Sequence, residues 1–257
     1  MRRVHVLPCG YQEDDKGVLT SMKDCGTIIK VPYHAYLIED PECTIIVDTG
    51  VSLRWRELHS RTMRESFPVH IQEHEHLDKM LESVGFSTTD VDYVINTHLH
   101  YDHCGNNGMF PRAQFVVNET ELAHAFVPGW WEADSYVRAL FDIPGLKYEL
   151  VRGSAEIAQG IRIVSTPGHS EGHQSVAVQL EKTRLLVIAG DAIFLRENLE
   201  GPILPGLYVD ARKYAQSMVR LKRLIEMHKG TMLLSHSREY LSWDNWKRME
   251  EGVVVFT

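Results

Sequence analysis

Short apolar runs alternating with polar positions fill the first part of the chain. VHVLP (4–8), TIIK (27–30), HAYLIE (34–39), TIIVDTG (44–50), VDYVINTH (91–98) and AQFVVN (113–118) are rich in Val, Ile and Tyr and are separated by turn residues, which predicts strands. The period changes in VHIQEHEHLDKMLESVG (69–85). There Ile71, Leu77, Met80, Leu81 and Val84 fall near helical spacing, with Gly85 as a C-cap. NETELAHAF (118–126) opens on a capping Asn and reads as a second helix. Strands return with IRIVST (161–166), QSVAVQL (174–180) and RLLVIAGD (184–191). The clearest amphipathic helix is DARKYAQSMVRLKRLIEMH (210–228), with Tyr214, Met218, Leu221, Leu224 and Ile225 on one face. TMLLSH (231–236) reads as the last strand, and residues 9–26, 52–69 and 128–147 as loops.

Each half therefore places strands before helices. That pattern predicts an α+β fold in which two similar sheets stack face to face with helices outside. No low-complexity tract or Pro/Gly-rich linker interrupts it, so residues 1–257 are expected to form a single domain.

Composition narrows the function classes. With a net charge of −8 and no basic run, nothing favours nucleic acid. No segment reaches the roughly 18 apolar residues of a membrane span. The apolar run after the two N-terminal arginines is too short for a signal peptide. Cys9, Cys25, Cys43 and Cys104 are scattered without a CxxC pair, so a cytoplasmic protein with reduced thiols is expected.

One strand carries a puzzle. LLVIA (185–189) reads as buried on both faces, yet Asp191 follows at once, and a buried carboxylate is costly unless a positive charge meets it. The candidate partners lie in THLHYDHCGNNG (97–108), which holds His98, His100, Asp102 and His103 within six residues. In a strand, His98 and His100 would point to the same side. The following Gly/Asn-rich turn lets Asp102 and His103 diverge. Two neighbouring ions suit this better than one: two imidazoles for the first, a carboxylate and an imidazole for the second. His169, after a Pro-Gly turn, and His236, after MLLS, add ligand types at the ends of later strands, where sites of layered α/β proteins sit.

Other candidates have plainer readings. His70, His74 and His76 suit a solvated helix, His173 a supporting residue, and Cys104 a small buried thiol. Trp55, Trp130 and Trp131 divide evenly between packing and an apolar pocket.

HLHYDH matches the HxHxDH signature of the metallo-β-lactamase superfamily. VDTG, TPGHSEGH, AGD and the late SH follow in that family's order, so the resemblance runs from about residue 4 to 236. It implies an αβ/βα four-layer sandwich: two mixed sheets, helices outside, and a dinuclear metal site at one edge. His98, His100 and His169 would bind the first divalent ion, Asp102, His103 and His236 the second, and Asp191 would bridge them. Zn²⁺ is the expected metal, with Co, Mn or Fe accepted by the same ligands. Asp48 matches an acid that supports the ligands. A hydroxide between the ions would be the nucleophile, and Asp102 would also pass a proton to the leaving group.

Within the superfamily the chain is most similar to the N-acyl-homoserine lactonase branch. This rests on its size, the N-terminal strand and long loop, TPGHSEGHQS, and RENLE after Asp191. The resemblance implies hydrolysis of a small-molecule lactone or ester, with Tyr101 and Phe194 contacting substrate. A homodimer through the loop regions is compatible with this reading. Phe194 departs from the branch: many of these lactonases carry Tyr there, whose hydroxyl bonds near the lactone carbonyl. GDAIF also resembles glyoxalase-II-type thioesterases, which makes a thioesterase or general esterase the alternative. A binding protein without turnover is a third reading, opposed by the complete ligand set. A redox role would need an added flavodoxin-like domain, which this length does not hold.

Overall fold

The computed structural model describes residues 2–180, 184–201, 203–243 and 245–257. The first sheet holds β1 (Arg3–Asp15), β2 (Ile28–Glu39), β3 (Thr44–Val47), β4 (Val69–His70), β5 (Tyr93–Ile95), β6 (Gln114–Asn118) and β7 (Lys147–Val151). The second holds β8 (Ala155–Ala158), β9 (Ile161–Ser165), β10 (Gln174–Gln179), β11 (Leu185–Ile188), β12 (Thr231–Leu233), β13 (Glu239–Ser242) and β14 (Asn245–Arg248). The last strand, β15 (Val254–Phe256), returns to the first sheet and pairs antiparallel with β1, placing Val4 opposite Phe256. Both sheets are mixed. The run β3-β5-β6-β7 is parallel, as is the β11–β12 pair, and the other pairings are antiparallel.

Period-two alternation builds the layers. Val4, Val6, Tyr36, Ile38, Ile45 and Val47 point inward and meet Ile161, Ile163, Val176, Val178, Leu186 and Ile188 of the other sheet. The intervening residues, such as Leu7, Leu37 and Ile46, point the other way. Among the described residues, seven α-helices join the strands: α1 (Lys16–Leu19), α2 (Trp55–Leu58), α3 (Arg61–Ser66), α4 (Leu77–Ser83), α5 (Glu119–Phe126), α6 (Arg196–Glu200) and α7 (Ala211–His228). Leu77, Met80 and Leu81 of α4 and Ala125 of α5 cover the outer face of the first sheet. Tyr214, Met218, Leu221 and Ile225 of α7 cover Leu185, Val187 and Ala189 of the second. Fully burying one side chain of this kind contributes roughly 1.5–3 kcal/mol. Among the described residues three apolar cores thus separate four layers, as the order of strands and helices predicted and the family resemblance implied. No helix among the described residues is long and apolar enough to cross a membrane.

Several boundaries differ from the sequence reading. VHVLP lies in a 13-residue strand that runs on through the first seven residues of the expected 9–26 loop. Its pairing with β2 shifts register between Pro8 and Tyr11, which breaks the simple alternation. The helix expected over 69–85 begins only at Leu77, because Val69 and His70 pair with β1 and residues 73–75 form a 3₁₀ turn. TMLLSH is not the last strand, since β13, β14 and β15 follow. VDYVINTH is strand only over Tyr93–Ile95.

A candidate dinuclear metal centre

Five strands of the two sheets end at one edge of the sandwich. Asp48 follows β3, residues 98–103 follow β5, His169 follows β9, Asp191 follows β11 and His236 follows β12. His98 and His100 lie beyond the short β5, not within a strand. They converge all the same, with ring centroids 4.5 Å apart. Each apolar strand drives its own burial, and the polar residue just past its end is carried to the shared rim.

The ligand types gather there as two clusters around one carboxylate. His169 Nε2 lies 3.2 Å from His98 Nε2 and 3.0 Å from His100 Nδ1. Asp102 Oδ2 lies 3.6 Å from His103 Nε2 and 3.7 Å from His236 Nε2. Asp191 divides its oxygens between the clusters. Oδ2 is 3.2 Å from His169 Nε2 and 3.7 Å from His98 Nε2. Oδ1 is 3.2 Å from both His103 Nε2 and His236 Nε2. Among the described residues, three sets of side chains could each hold an ion: His98, His100 and His169; Asp102, His103 and His236; and His98, His103 and Asp191.

The chemistry of these ligands fits cations. His169 Nδ1 donates to the Leu207 carbonyl and His236 Nδ1 to the Pro32 carbonyl, both at 3.0 Å. Those bonds fix the tautomer that leaves each Nε2 lone pair facing the centre. His103 Nδ1 bonds Asp48 Oδ2 at 2.8 Å. Asp48 is itself locked by the Thr97 amide (2.7 Å) and hydroxyl (2.8 Å). Its φ of 57° lies in the left-handed region, which a short acidic side chain tolerates. The Nε2 atoms of His100 and His103 are buried without a hydrogen-bond partner.

Charge balance points the same way. Burial, together with neighbouring His103 and His100, pushes His98 well below the ordinary imidazole value, so it is neutral and ready to ligate. Burial raises the Asp191 carboxyl, but His103, His236 and His169 outweigh it and hold it well below the usual range. Asp191 is therefore ionised while almost fully buried (3% exposed). Ser235 Oγ donates to Asp191 Oδ1 at 2.5 Å, and the Tyr214 hydroxyl donates to its main-chain carbonyl. Gly190 has φ +56°, and a Cβ there would sit 2.7 Å from His173 Nε2 and 3.1 Å from Thr97 Cβ. The backbone must pass this close to aim Asp191, which accounts for the AGD motif.

A cavity of about 430 Å³ opens over the centre. His100, Asp102, His169, Asp191 and His236 form its floor, and Leu19, Val31, Met63, Phe67, Trp131 and Tyr208 its walls. Tyr101 and Phe194 both line it. The Tyr101 hydroxyl donates to Gln12 Oε1 at 3.1 Å, as does the Tyr33 hydroxyl at 2.5 Å. Phe194 stacks on His236 (5.3 Å, 15°) and meets His169 edge-on at 5.5 Å. A larger cleft of about 720 Å³, lined by Tyr11, Lys30 and Arg248, also touches His236 but no other residue of the two clusters.

The side candidates separate cleanly. His70 stacks on Tyr11 (4.8 Å, 18°), and none of His70, His74 or His76 joins a ligand set among the described residues. His173 Nδ1 lies within hydrogen-bond distance of the Thr166 hydroxyl (2.9 Å) and carbonyl (3.1 Å), in a supporting position. Burial pushes the Cys104 thiol well up, and it donates to the Leu99 carbonyl at 3.4 Å. Trp55 is core, Trp131 lines the cavity, and Trp130 is exposed. The sequence reading missed Gln12 and Glu121. Glu121 had a signal: it sits one turn before Ala125 on the buried face of α5, where a carboxylate needs an explanation.

Comparison with known proteins agrees with this geometry. The profile of the metallo-beta-lactamase superfamily matches residues 29–236. An N-acyl homoserine lactonase of Bacillus cereus is 28% identical over 260 residues, covering 100% of this chain and 98% of that protein. The N-acyl homoserine lactonase AttM of Rhizobium radiobacter is 30% identical over 236 residues, covering 88% and 89%. A solved N-acyl homoserine lactone hydrolase, with the product N-hexanoyl-L-homoserine bound at its catalytic metal centre, superposes with a TM-score of 0.81 at 27% identity, covering 91% of this chain and 92% of that one.

Proposed function

Because this chain belongs to the metallo-beta-lactamase superfamily, we propose that it opens the ring of an N-acyl homoserine lactone by hydrolysis at a dinuclear metal centre. His98, His100 and His169 would hold one ion, Asp102, His103 and His236 the other, and Asp191 would serve both. The observation that carries this reading is the division of Asp191 between two histidine groups beneath a cavity with apolar walls. Zinc is the proposed metal, since imidazole and carboxylate are its ordinary ligands. Two such cations, when bound, polarise a carbonyl and make water acidic enough to attack at neutral pH. We place the enzyme in the cytoplasm, where its four unpaired cysteines would remain reduced.

The chain's own residues do the rest. Leu19, Val31, Met63 and Phe67 offer an apolar surface for the acyl chain and leave the polar ring to the floor of the cavity. Asp102 faces the cavity with part of its carboxylate exposed, so it can carry a proton to the alkoxide released when the ring opens. Phe194 braces the His169 and His236 rings.

The test is a substrate panel on metal-analysed protein: N-acyl homoserine lactones of several chain lengths, γ-butyrolactone, S-lactoylglutathione and an aryl ester. The acyl homoserine lactones are expected to have the highest kcat/KM. Strong thioester turnover with no lactone opening would overturn the reading in favour of a thioesterase, which the Phe at 194 favours. Phe194→Tyr probes that position directly. The added hydroxyl is expected to raise kcat/KM for the lactone about tenfold, the worth of one good hydrogen bond in the transition state. Turnover of the aryl ester should change little. An unchanged or reduced lactone rate would limit Phe194 to bracing the two histidines.

A further inference from the structure

We propose that Glu121 is the positioning residue of one half of the metal centre, the half built from His98, His100 and His169. This rests on the dinuclear reading above.

Glu121 is completely buried (0% exposed). Its carboxylate accepts four hydrogen bonds from three separate parts of the chain. The Leu99 amide donates to Oε1 at 3.0 Å, and Leu99 lies between His98 and His100. The Ser170 hydroxyl (2.6 Å) and the Gly172 amide (3.0 Å) donate to Oε2, and Ser170 follows His169 directly. The Tyr136 hydroxyl donates to Oε1 at 3.2 Å, while its ring sits edge-on to His100 at 4.6 Å. Gly172 allows this approach, because a Cβ there would lie 2.3 Å from the Glu121 amide nitrogen.

The second cluster is fixed by other groups. His103 is held by Asp48 and His236 by the Pro32 carbonyl. None of these contacts reaches Glu121. One carboxylate therefore ties the segment carrying two imidazoles to the segment carrying the third, and it does so for one cluster only. Gln at this position keeps the shape but presents an amide NH₂ to groups that are themselves donors, so it cannot accept all four bonds.

Ligand-deletion backgrounds isolate the two halves. In a His236→Ala protein, the retained ion belongs to the His98, His100 and His169 cluster. In a His169→Ala protein, it belongs to the Asp102, His103 and His236 cluster. Zn²⁺ affinity is measured in each background by competition with a chelating dye, with and without Glu121→Gln. The expected result is a loss of ten- to a hundredfold in the His236→Ala background, the range for partners that orient metal ligands, and less than about twofold in the His169→Ala background. Should Glu121→Gln fail to fold, Ser170→Ala removes only the 2.6 Å donor and is expected to give the same asymmetry at smaller size.

Equal losses in both backgrounds, or none in the first, overturn the inference while leaving the dinuclear reading standing. A wild-type chain that binds a single Zn²⁺ overturns both.

Discussion

Asp191→Asn is expected to abolish lactone opening, with kcat/KM falling about 10⁴-fold or more, and to leave fewer than two divalent ions bound per chain. The loss corresponds to about 5 kcal/mol of transition-state stabilisation. The reason lies in the geometry. Each Asp191 oxygen faces two imidazole nitrogens, three of the four at 3.2 Å, and the two oxygens face different clusters. Asn retains the shape but surrenders the negative charge and turns one of these oxygens into an NH₂ group, which cannot ligate a cation. The Ser235 hydroxyl and the surrounding core can still accept the isosteric side chain, so the fold should survive. Metal analysis by plasma emission, circular dichroism and steady-state kinetics together check this. A variant that keeps two ions and retains more than a tenth of wild-type activity would falsify the bridging role.

The legible parts of this protein were those in which a local pattern and a distant partner coincide. Leu185–Ile188 is an unbroken apolar run, so its burial on both faces follows from the sequence, and the acid just past its end then demands a cation. His98, His100, Asp102 and His103 share one turn, so their convergence is almost a local property. The stacking of two sheets with helices outside followed from the order of strands before helices in each half. What escaped was set by pairing at long range. Nothing local in CGYQEDD says that it continues a strand, because its pairing partners lie at Ile28–Pro32 and Val69–His70. The register shift between Pro8 and Tyr11 also disturbs the period that would have revealed it. β15 is stabilised by β1, about 250 positions away in sequence, so its three residues carry little signal alone. Glu121 was hidden for a related reason: its four partners come from residues 99, 136, 170 and 172, and only the fold brings them to one carboxylate.

Asp102 carries the second large effect, and its two roles can be separated. Its Oδ2 faces His103 and His236 at 3.6 and 3.7 Å, while the side chain also lines the cavity. A residue that only ligates should affect every substrate in proportion to the metal lost. A residue that also delivers a proton should matter most where the leaving group is a strong base. Asp102→Asn is therefore expected to lower kcat on an acyl homoserine lactone about a hundredfold or more, the usual contribution of a general acid, at saturating Zn²⁺. The alkoxide released from the lactone needs a proton. A nitrophenolate leaving group does not, so the same variant should lose less than about tenfold on a nitrophenyl ester. Bound zinc, measured on the same samples, should fall less than the lactone rate. Equal losses on the two substrates, tracking metal content, would reduce Asp102 to a ligand and leave protonation of the alkoxide to solvent.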